Sequence, residues 1–323
     1  MLKIGIIGAG RMGNSHAAIL EKNKSVQLST VYDVNPEQSA KFVEKHPNVK
    51  IMASLQELVN SPETDFIVIT TPTYCHKEGL LAAMTTGKPI FCEKPLCRTR
   101  EDLDELTPLL QSYGNFFAIG FVRRYSPVNS IMKKLIDEGK LGRLRSASVV
   151  CRIGTFQRQW GDWFADYDKS GGVMLDMLAH HCDLLNYIVG SPVSVYAQAF
   201  RLPKDQPLPS DYASATAVLQ NNVICNVECY WLRGGPTDVY MTVYGEKGAL
   251  KQTDTGVFFY DIGGKETKHE GTSAQMFEAE WENVVDCAIN GKKPLAGAQD
   301  AVNAMEFCLG MMESAETGNV VKF

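Results

Sequence analysis

The first thirty-three residues of this 323-residue chain constrain its fold most strongly. An apolar run at residues 4–7 leads into the pattern G-x-G-x-x-G, formed by Gly8, Gly10 and Gly13. A helical pattern follows, and a second apolar run then ends at Asp33. This order of strand, glycine-rich turn, helix, strand and acid predicts a βαβ unit that binds a dinucleotide.

Each position of the glycine turn has a physical role in that prediction. Gly8 permits the tight turn, Gly10 leaves room for the pyrophosphate, and Gly13 lets the helix pack closely on the strand. The free N–H groups at the start of the helix, around Arg11 and Met12, would hold the diphosphate. We therefore expect all five residues to bind the cofactor.

Asp33 bears on the choice of cofactor, because its carboxylate can accept hydrogen bonds from both ribose hydroxyls of the adenosine half. The same carboxylate repels a 2′-phosphate, and residues 34–36 contain no arginine that would attract one. The sequence therefore predicts NAD, with NADP the less favoured cofactor.

Strands and helices alternate as far as about residue 120, which predicts an α/β Rossmann domain with a doubly wound parallel sheet at residues 1–121. Beyond that point, Asn221-Asn222 and residues 245–248 read as tight hairpin turns. Such successive hairpins predict, at residues 122–323, an α+β domain with an open, largely antiparallel sheet for substrate binding and oligomerisation. An uncovered sheet face favours association. We therefore expect this sheet to pair subunits into a homodimer or homotetramer.

Several residues follow the ends of predicted parallel strands, where such sheets form their ligand crevice. Thr71 and Pro72 end one strand, His76 opens the next helix, and Glu93 and Lys94 end another strand. We expect the first four to contact the cofactor, although His76 could equally be a packing residue. Lys94 would lie beside the nicotinamide and donate a hydrogen bond or a proton to an alcohol oxygen. The alternative for Lys94 is an ordinary surface lysine in a turn.

A second group of polar residues lies in a predicted helix over residues 173–189, which contains no lysine, arginine or glutamate. Asp176, His180 and Asp183 are spaced i, i+4 and i+7, so they share one face of that helix. His180 suits a general base because imidazole titrates near neutral pH. Asp176 would bind a substrate hydroxyl. Alternatively, Asp176 and His180 only hydrogen-bond each other or the nearby backbone.

Three further residues have weaker signals. Arg124 follows the sixth predicted strand, where it could reach the crevice or simply cap the domain boundary. Trp160 and Trp163 precede the Asp176 helix, where they could form a wall of the substrate pocket or pack in the core.

Bulk properties narrow the class of protein. The net charge of −5, from 32 basic and 37 acidic residues, gives no indication of a nucleic acid or anionic membrane partner. No apolar run is long enough to cross a bilayer and no signal peptide is evident, so we expect a cytoplasmic protein. The nine cysteines form no C-x-x-C pair and have no histidine at ligand spacing, so no metal site is expected.

Together these motifs resemble the glucose–fructose oxidoreductase / inositol dehydrogenase / MocA family over essentially the whole chain. The more selective parts are Glu93-Lys94-Pro95 and Gly171-Gly172 followed by Asp176-x-x-x-His180. The resemblance implies a catalytic set of Lys94, Asp176 and His180. It also implies hydride transfer between NAD and a polyol or sugar secondary alcohol, inositol-like or aldose.

Residues 120–125 look most like the inositol dehydrogenase branch, which implies that Arg124 faces the substrate. The family also contains NAD-dependent glycosidases and non-catalytic sugar sensors. These two activities are the alternatives to a dehydrogenase.

Overall fold

The protein divides into two compact units. The computed structural model describes residues 1–154, 161–201, 211–232 and 234–323. The first unit comprises Met1–Val122 and Phe277–Val302, and the second comprises Arg123–Met276 and Asn303–Phe323. The segment 277–302 thus belongs with the first unit, although the sequence-based boundary after residue 121 does not include it.

The first unit contains a six-stranded parallel sheet with the order β3-β2-β1-β4-β5-β6. The inner strands are apolar and buried, as expected for a sheet covered on both faces. This arrangement confirms the predicted doubly wound α/β fold. The strands are β1 (Leu2–Ile7), β2 (Val26–Tyr32), β3 (Lys50–Ile51), β4 (Phe66–Ile69), β5 (Ile90–Cys92) and β6 (Phe117–Ile119).

Five helices connect these strands, and three of them begin at a residue whose side chain caps the first turn. Asn35, Ser54 and Thr99 each accept a hydrogen bond from a backbone N–H of the helix that follows. These are the side-chain types that satisfy the free donors of a helix start. The helices are α1 (Arg11–Leu20), α2 (Pro36–Lys45), α3 (Leu55–Asn60), α4 (His76–Met84) and α5 (Arg100–Ser112).

A late helix completes the core of the first unit. Helix α9 (Met276–Asn290) carries Trp281, whose side chain is 1% exposed and packs against Phe66 and Phe91 of the parallel sheet. A backbone hydrogen bond from Ile119 N to Ala296 O ties strand β6 to the same returning segment. The sheet is therefore completed by residues more than 150 positions away in sequence.

The second unit contains a nine-stranded sheet with the order β14-β13-β12-β11-β7-β10-β9-β8-β15. Among the described strands only β7 and β10 pair in parallel, which confirms the predicted open, largely antiparallel sheet. The strands are β7 (Leu144–Ile153), β8 (Pro192–Arg201), β9 (Asp211–Leu219), β10 (Val223–Trp231), β11 (Asp238–Gly245), β12 (Gly248–Thr253), β13 (Gly256–Asp261), β14 (Glu266–Glu270) and β15 (Val321–Lys322).

Both tight turns predicted for this sheet are present. Asn221 and Asn222 join β9 to β10 with φ of 59° and 58°, a left-handed conformation that asparagine tolerates well. Gly245 pairs with Gly248 across the turn between β11 and β12.

One face of the second sheet is covered by helical segments, and burial alternates along β9 and β10 as a one-sided sheet requires. The helical segments of this unit are α6 (Pro127–Asp137), α7 (Tyr167–Ser170), a π-helical turn (Val173–Met177) and α8 (Leu178–Ile188), while α10 (Ala298–Thr317) begins in the first unit and ends in the second. In the described part of the chain, no helix is both long and apolar enough to span a membrane.

Candidate active site

The glycine turn between β1 and α1 has the geometry that its sequence predicts. Gly8 has φ +100°, and a Cβ at this position would lie 2.7 Å from the backbone nitrogen of Thr71. A Cβ on Gly13 would lie 2.1 Å from the carbonyl oxygen of Gly8. Both glycines are therefore required for the turn and the helix to pack together.

Gly10 is different, because a Cβ built on it meets nothing within 4 Å. It is the N-cap of α1, so no side chain satisfies the first backbone N–H groups, at Arg11 and Met12. Free N–H donors and the positive end of a helix attract a phosphate group. The turn thus provides an open cradle that fits the diphosphate of a dinucleotide.

Asp33 and Thr71 flank this cradle with acceptors and a hydroxyl. Asp33 Oδ2 accepts a hydrogen bond from Ala9 N at 2.8 Å, and Oδ1 accepts one from Asn35 N at 2.9 Å. Each carboxylate oxygen can still accept a second bond, as two ribose hydroxyls would require. Thr71 Oγ1 is buried and has no hydrogen-bond partner among the described residues. Such an orphaned buried group fits contact with a bound cofactor.

Glu93 takes part in a buried hydrogen-bond chain within the first unit. Its Oε2 accepts from the backbone nitrogen of Lys94 at 2.9 Å, and its Oε1 lies 2.7 Å from His16 Nε2. The indole Nε1 of Trp281 in turn donates to His16 Nδ1 at 2.8 Å. Glu93 therefore orients the backbone beside the candidate catalytic lysine. Its predicted contact with the cofactor remains a prediction.

The chain also fixes the tautomer of His16. An indole N–H can only donate, so Nδ1 of His16 must be the unprotonated acceptor. Nε2 then carries the proton and donates it to the Glu93 carboxylate. His16 is accordingly a neutral connector between Trp281 and Glu93, and this contact is a hydrogen bond from a neutral ring.

The carboxylate of Glu93 is stabilised in its charged form despite full burial. Burial raises its pKa, but the His16 hydrogen bond, the Lys94 charge and the Lys94 backbone N–H outweigh this effect and lower it. The nearby Glu280 shows the opposite result. Its pKa is raised well above the usual range by burial and then by the charge of Glu93. Glu93 is thus the charged carboxylate of the two.

Lys94 is partly buried at the carboxyl end of β5, and its peptide bond to Pro95 is cis. His76 contacts the backbone on both sides of this region: Nδ1 lies 2.6 Å from Pro95 O, and Nε2 lies 2.8 Å from Thr71 O. Burial lowers the pKa of His76, while these two carbonyl contacts offset part of that effect. Both ring nitrogens lie within hydrogen-bonding distance of backbone carbonyl oxygens, although a neutral ring can donate to only one of them. The predicted contact of His76 with the cofactor remains a prediction.

The second unit carries the other candidate catalytic residues, and here the local prediction needs a correction. The sequence predicted one helix over residues 173–189, but the segment begins as a π-turn, and regular α-helix starts only at Leu178. Asp176 lies buried in the π-turn, and His180 lies partly exposed at the start of α8. A π-turn has wider hydrogen-bond spacing than an α-helix, so regular α-helical periodicity does not apply between Val173 and Met177. The shared face of Asp176 and His180 remains a prediction. π-turns occur frequently at functional sites.

Arg124 and Asp183 form a buried ion pair in the second unit. Arg124 Nε lies 3.0 and 2.9 Å from the two carboxylate oxygens, and its second guanidinium nitrogen lies 2.6 Å from Oδ1. The two side chains are 3% and 1% exposed, and the guanidinium also lies 4.5 Å from the centre of the Tyr187 ring. This geometry favours a structural role for Arg124, whose predicted contact with substrate remains a prediction. Asp183 is held by the same ion pair.

Trp163 is half-buried and stacks on Phe164 at a ring separation of 3.9 Å. Phe164 therefore covers one face of the Trp163 ring, and the predicted contact of Trp163 with substrate remains a prediction. Trp160 lies outside the described residues.

Sequence reasoning did not find the connection from Trp281 to Glu93 through His16. His16 follows Gly13 by three residues and so lies on the inner side of α1, which was a usable signal. Trp281 is 265 residues from His16, and no local pattern could have linked them. Lys94 lies in the first unit and Asp176 and His180 lie in the second, so their convergence remains a prediction.

The cysteines are free thiols, and eight of the nine are buried. Within the described ranges, no cluster of three or more histidine, cysteine, aspartate or glutamate side chains is arranged to hold a metal ion.

The doubly wound sheet and its open glycine turn define a Rossmann-type dinucleotide-binding protein. Residues 2–121 match the model of an oxidoreductase family with an NAD-binding Rossmann fold, and residues 130–251 match the GFO/IDH/MocA C-terminal domain. The chain belongs to the GFO/IDH/MocA oxidoreductase family. This membership confirms the resemblance seen in the motifs and the predicted cofactor, NAD.

Two curated relatives are similar to this chain in sequence, and one solved structure is similar in fold. Glucose-6-phosphate 3-dehydrogenase of Bacillus subtilis (strain 168) is 31% identical over 238 residues, covering 70% of this chain and 67% of that protein. Inositol 2-dehydrogenase of Ralstonia nicotianae (strain ATCC BAA-1114 / GMI1000) is 28% identical over 259 residues, covering 78% and 74%. The crystal structure of GenD2 from gentamicin A biosynthesis, in complex with NAD, superposes with a TM-score of 0.85 at 20% identity, covering 100% and 96%.

Proposed function

We propose that this protein transfers hydride between NAD and a secondary alcohol of a polyol or sugar, with Lys94, Asp176 and His180 as its catalytic residues. The observation that carries the proposal is an open dinucleotide cradle in a chain of this family that also retains all three residues. A non-catalytic sensor of the same fold has no need to keep the complete set.

The cofactor would be held by the residues already described in the first unit. The turn from Gly8 to Gly13 would bind the diphosphate, Asp33 the adenosine ribose, and Thr71 and Pro72 the nicotinamide half. When bound, NAD supplies the acceptor or donor of the hydride.

The catalytic residues divide the remaining work. His180 removes the hydroxyl proton of the substrate as general base. The Lys94 ammonium stabilises the negative charge that develops on the alcohol oxygen. Asp176 accepts a hydrogen bond from a substrate hydroxyl and so orients it. Trp163 contributes an apolar wall to the substrate pocket.

Two relatives support this substrate class, because their names describe a glucose-6-phosphate 3-dehydrogenase and an inositol 2-dehydrogenase. The test is a screen of purified protein with NAD⁺ against inositols, aldoses, aldose phosphates and glycosides, measured by NADH absorbance and product analysis. Net NADH supports the dehydrogenase. Glycoside cleavage without net NADH would support a glycosidase, and no turnover of any compound would favour a sensor.

Asp33 should determine the preference for NAD over NADP. We expect Asp33→Asn to shift the ratio of the two dissociation constants toward NADP by about tenfold or more, because a repulsion of roughly 1.4 kcal/mol corresponds to tenfold. Titration calorimetry with both dinucleotides measures the ratio without any need for turnover.

Asp65→Asn is the matched control for this substitution. Asp65 is an exposed aspartate of the first unit, and its carboxylate also accepts a backbone N–H, that of Lys3, at 3.0 Å. An unchanged ratio in Asp33→Asn, equal to that of the control, would contradict the assignment.

The protein should form a homodimer or homotetramer through the second sheet. The uncovered face of that sheet exposes Tyr196, Phe200, Ile224 and Tyr244, each at 40–57%. We expect sedimentation to give a multiple of 35.7 kDa and Ile224→Lys to weaken the association. Ile262→Lys is the control, because Ile262 is 86% exposed in the turn after β13. A wild-type monomer at micromolar concentration would refute this prediction.

A further inference from the structure

A buried carboxylate holds the start of the segment that carries the second group of candidate catalytic residues. Asp211, the first residue of β9, is 7% exposed, and its Oδ2 accepts a hydrogen bond from Val173 N at 2.6 Å. Val173 opens the π-turn that contains Asp176, and α8 with His180 follows without a break. One contact therefore fixes the point from which both residues extend.

The neighbouring glycines make this close approach possible. Gly172 has φ +64°, and a Cβ at this position would lie 2.1 Å from Asp211 Oδ2. Gly171 has φ +73° and would place a Cβ 2.5 Å from the Leu175 side chain. Only residues without a side chain permit both the left-handed backbone and the contact with the carboxylate. The Gly-Gly pair and Asp211 thus form one arrangement.

The surroundings of Asp211 make its charge costly to maintain. Burial raises the pKa of Asp211 to about 6, although the Val173 N–H, the Arg201 charge and the Tyr212 N–H act in the opposite direction. Its Oδ1 is buried and has no hydrogen-bond partner among the described residues. The guanidinium carbon of Arg201 lies 3.2 Å from the centre of the Tyr167 ring. Besides burial, the charges of Asp211 and Asp176 both raise the pKa of the Cys229 thiol.

We propose that Asp211 is a positioning residue for the reaction: its carboxylate anchors the π-turn at Val173 and so sets the orientation of Asp176 and His180. This inference rests on the proposed function of those two residues. Asp211 itself need not touch substrate or cofactor. Displacement of a catalytic group by about 1 Å can lower a rate by about 100-fold.

The test compares Asp211→Ala, which removes the acceptor, with Asp211→Asn, which keeps an acceptor oxygen without the charge. We expect Asp211→Ala to lower kcat by about 10- to 100-fold with an unchanged Kd for NAD⁺, and to increase deuterium exchange in peptides covering residues 173–180. Asp211→Asn should restore most of the exchange protection but only part of the turnover, because a neutral amide oxygen accepts a weaker hydrogen bond from Val173 N than a carboxylate does. Ser54→Ala, which removes the cap of α3 at Glu57 N, is a control for loss of a cap elsewhere. It should leave kcat unchanged.

The pH profile separates positioning from general support of the fold. A folded-state pKa of about 6, above the ordinary value, means that ionised Asp211 destabilises the protein as the pH rises through about 6. Asp211→Asn should therefore be at least as thermally stable as wild type at pH 7.5. Wild-type kcat should decline below about pH 6, where Asp211 loses its charge-assisted bond to Val173, and this contribution should be missing from Asp211→Asn.

Two results would overturn the proposal. The first is a folded Asp211→Ala variant whose kcat equals that of wild type. If that variant does not fold, the second is an Asp211→Asn variant whose dependence of kcat on pH is identical to that of wild type. If wild type itself turns over no substrate, the proposed function fails. The exchange of residues 173–180 in Asp211→Ala then decides by itself whether Asp211 anchors the turn.

Discussion

Replacing Gly10 with alanine is expected to abolish measurable NAD binding while the protein remains folded. A Cβ at this position meets no protein atom within 4 Å, and the backbone of Gly10 (φ −72°, ψ −161°) is extended and accessible to alanine. The added methyl group would instead occupy the space that the diphosphate needs above the first N–H groups of α1. We expect Kd to increase by about 100-fold or more, equivalent to roughly 2.7 kcal/mol. Calorimetric titration with NAD⁺ measures this effect, and a thermal melt checks the fold.

Two other glycines provide the comparison. Gly114→Ala adds a methyl group at another open position of the first unit and should leave both Kd and Tm unchanged. Gly13→Ala should lower Tm as well as affinity, because its Cβ would lie 2.1 Å from the Gly8 carbonyl oxygen. Wild-type affinity in Gly10→Ala would show that the diphosphate does not approach this turn.

His180→Asn should lower kcat by about 10²–10⁴-fold, the usual loss when a general base is removed. Lys94→Ala should cause a comparable loss if its ammonium stabilises the developing alkoxide. Neither change should alter the Kd for NAD⁺ by more than a few fold, because the diphosphate and adenosine contacts remain. Steady-state kinetics on the substrate found in the NADH screen, together with calorimetry, separates the two quantities.

Matched substitutions test whether the losses are specific. His269→Asn changes a histidine on the edge strand β14, and Lys3→Ala changes a partly exposed lysine paired with Glu63. Both should retain wild-type turnover. Full turnover in Lys94→Ala would remove lysine from the mechanism, and full turnover in His180→Asn would require another general base.

Local sequence patterns predicted those features that depend on neighbouring residues. The glycine turn follows from steric rules acting within six residues, and the Asn221-Asn222 turn follows from the tolerance of asparagine for positive φ. The alternation of strands and helices likewise gave the doubly wound sheet. Thr71, which follows the carboxyl end of β4, lies directly against the glycine turn, because its backbone nitrogen is 2.7 Å from where a Cβ on Gly8 would be.

The features that sequence did not predict depend on partners far along the chain. The sequence predicted a single regular helix at residues 173–189, but the segment begins as a π-turn. Val173, the first residue of that turn, is hydrogen-bonded to Asp211, 38 positions away, and no local pattern shows this contact. The ion pair of Arg124 joins it to Asp183, 59 residues away, and no local pattern links the two. A one-dimensional pattern shows that a buried charge needs a partner, but it does not show which one.

The return of α9 to the parallel sheet has a consequence for exchanging parts between relatives. A fragment cut after residue 121 would lack Trp281, so it would expose the apolar surfaces of Phe66 and Phe91 and leave His16 without its indole donor. Burial of a large aromatic side chain contributes on the order of 3 kcal/mol, a large share of the stability of a small domain. A chimaera that transplants the nucleotide half must therefore carry residues 277–302 along with it, as a second graft from the same donor.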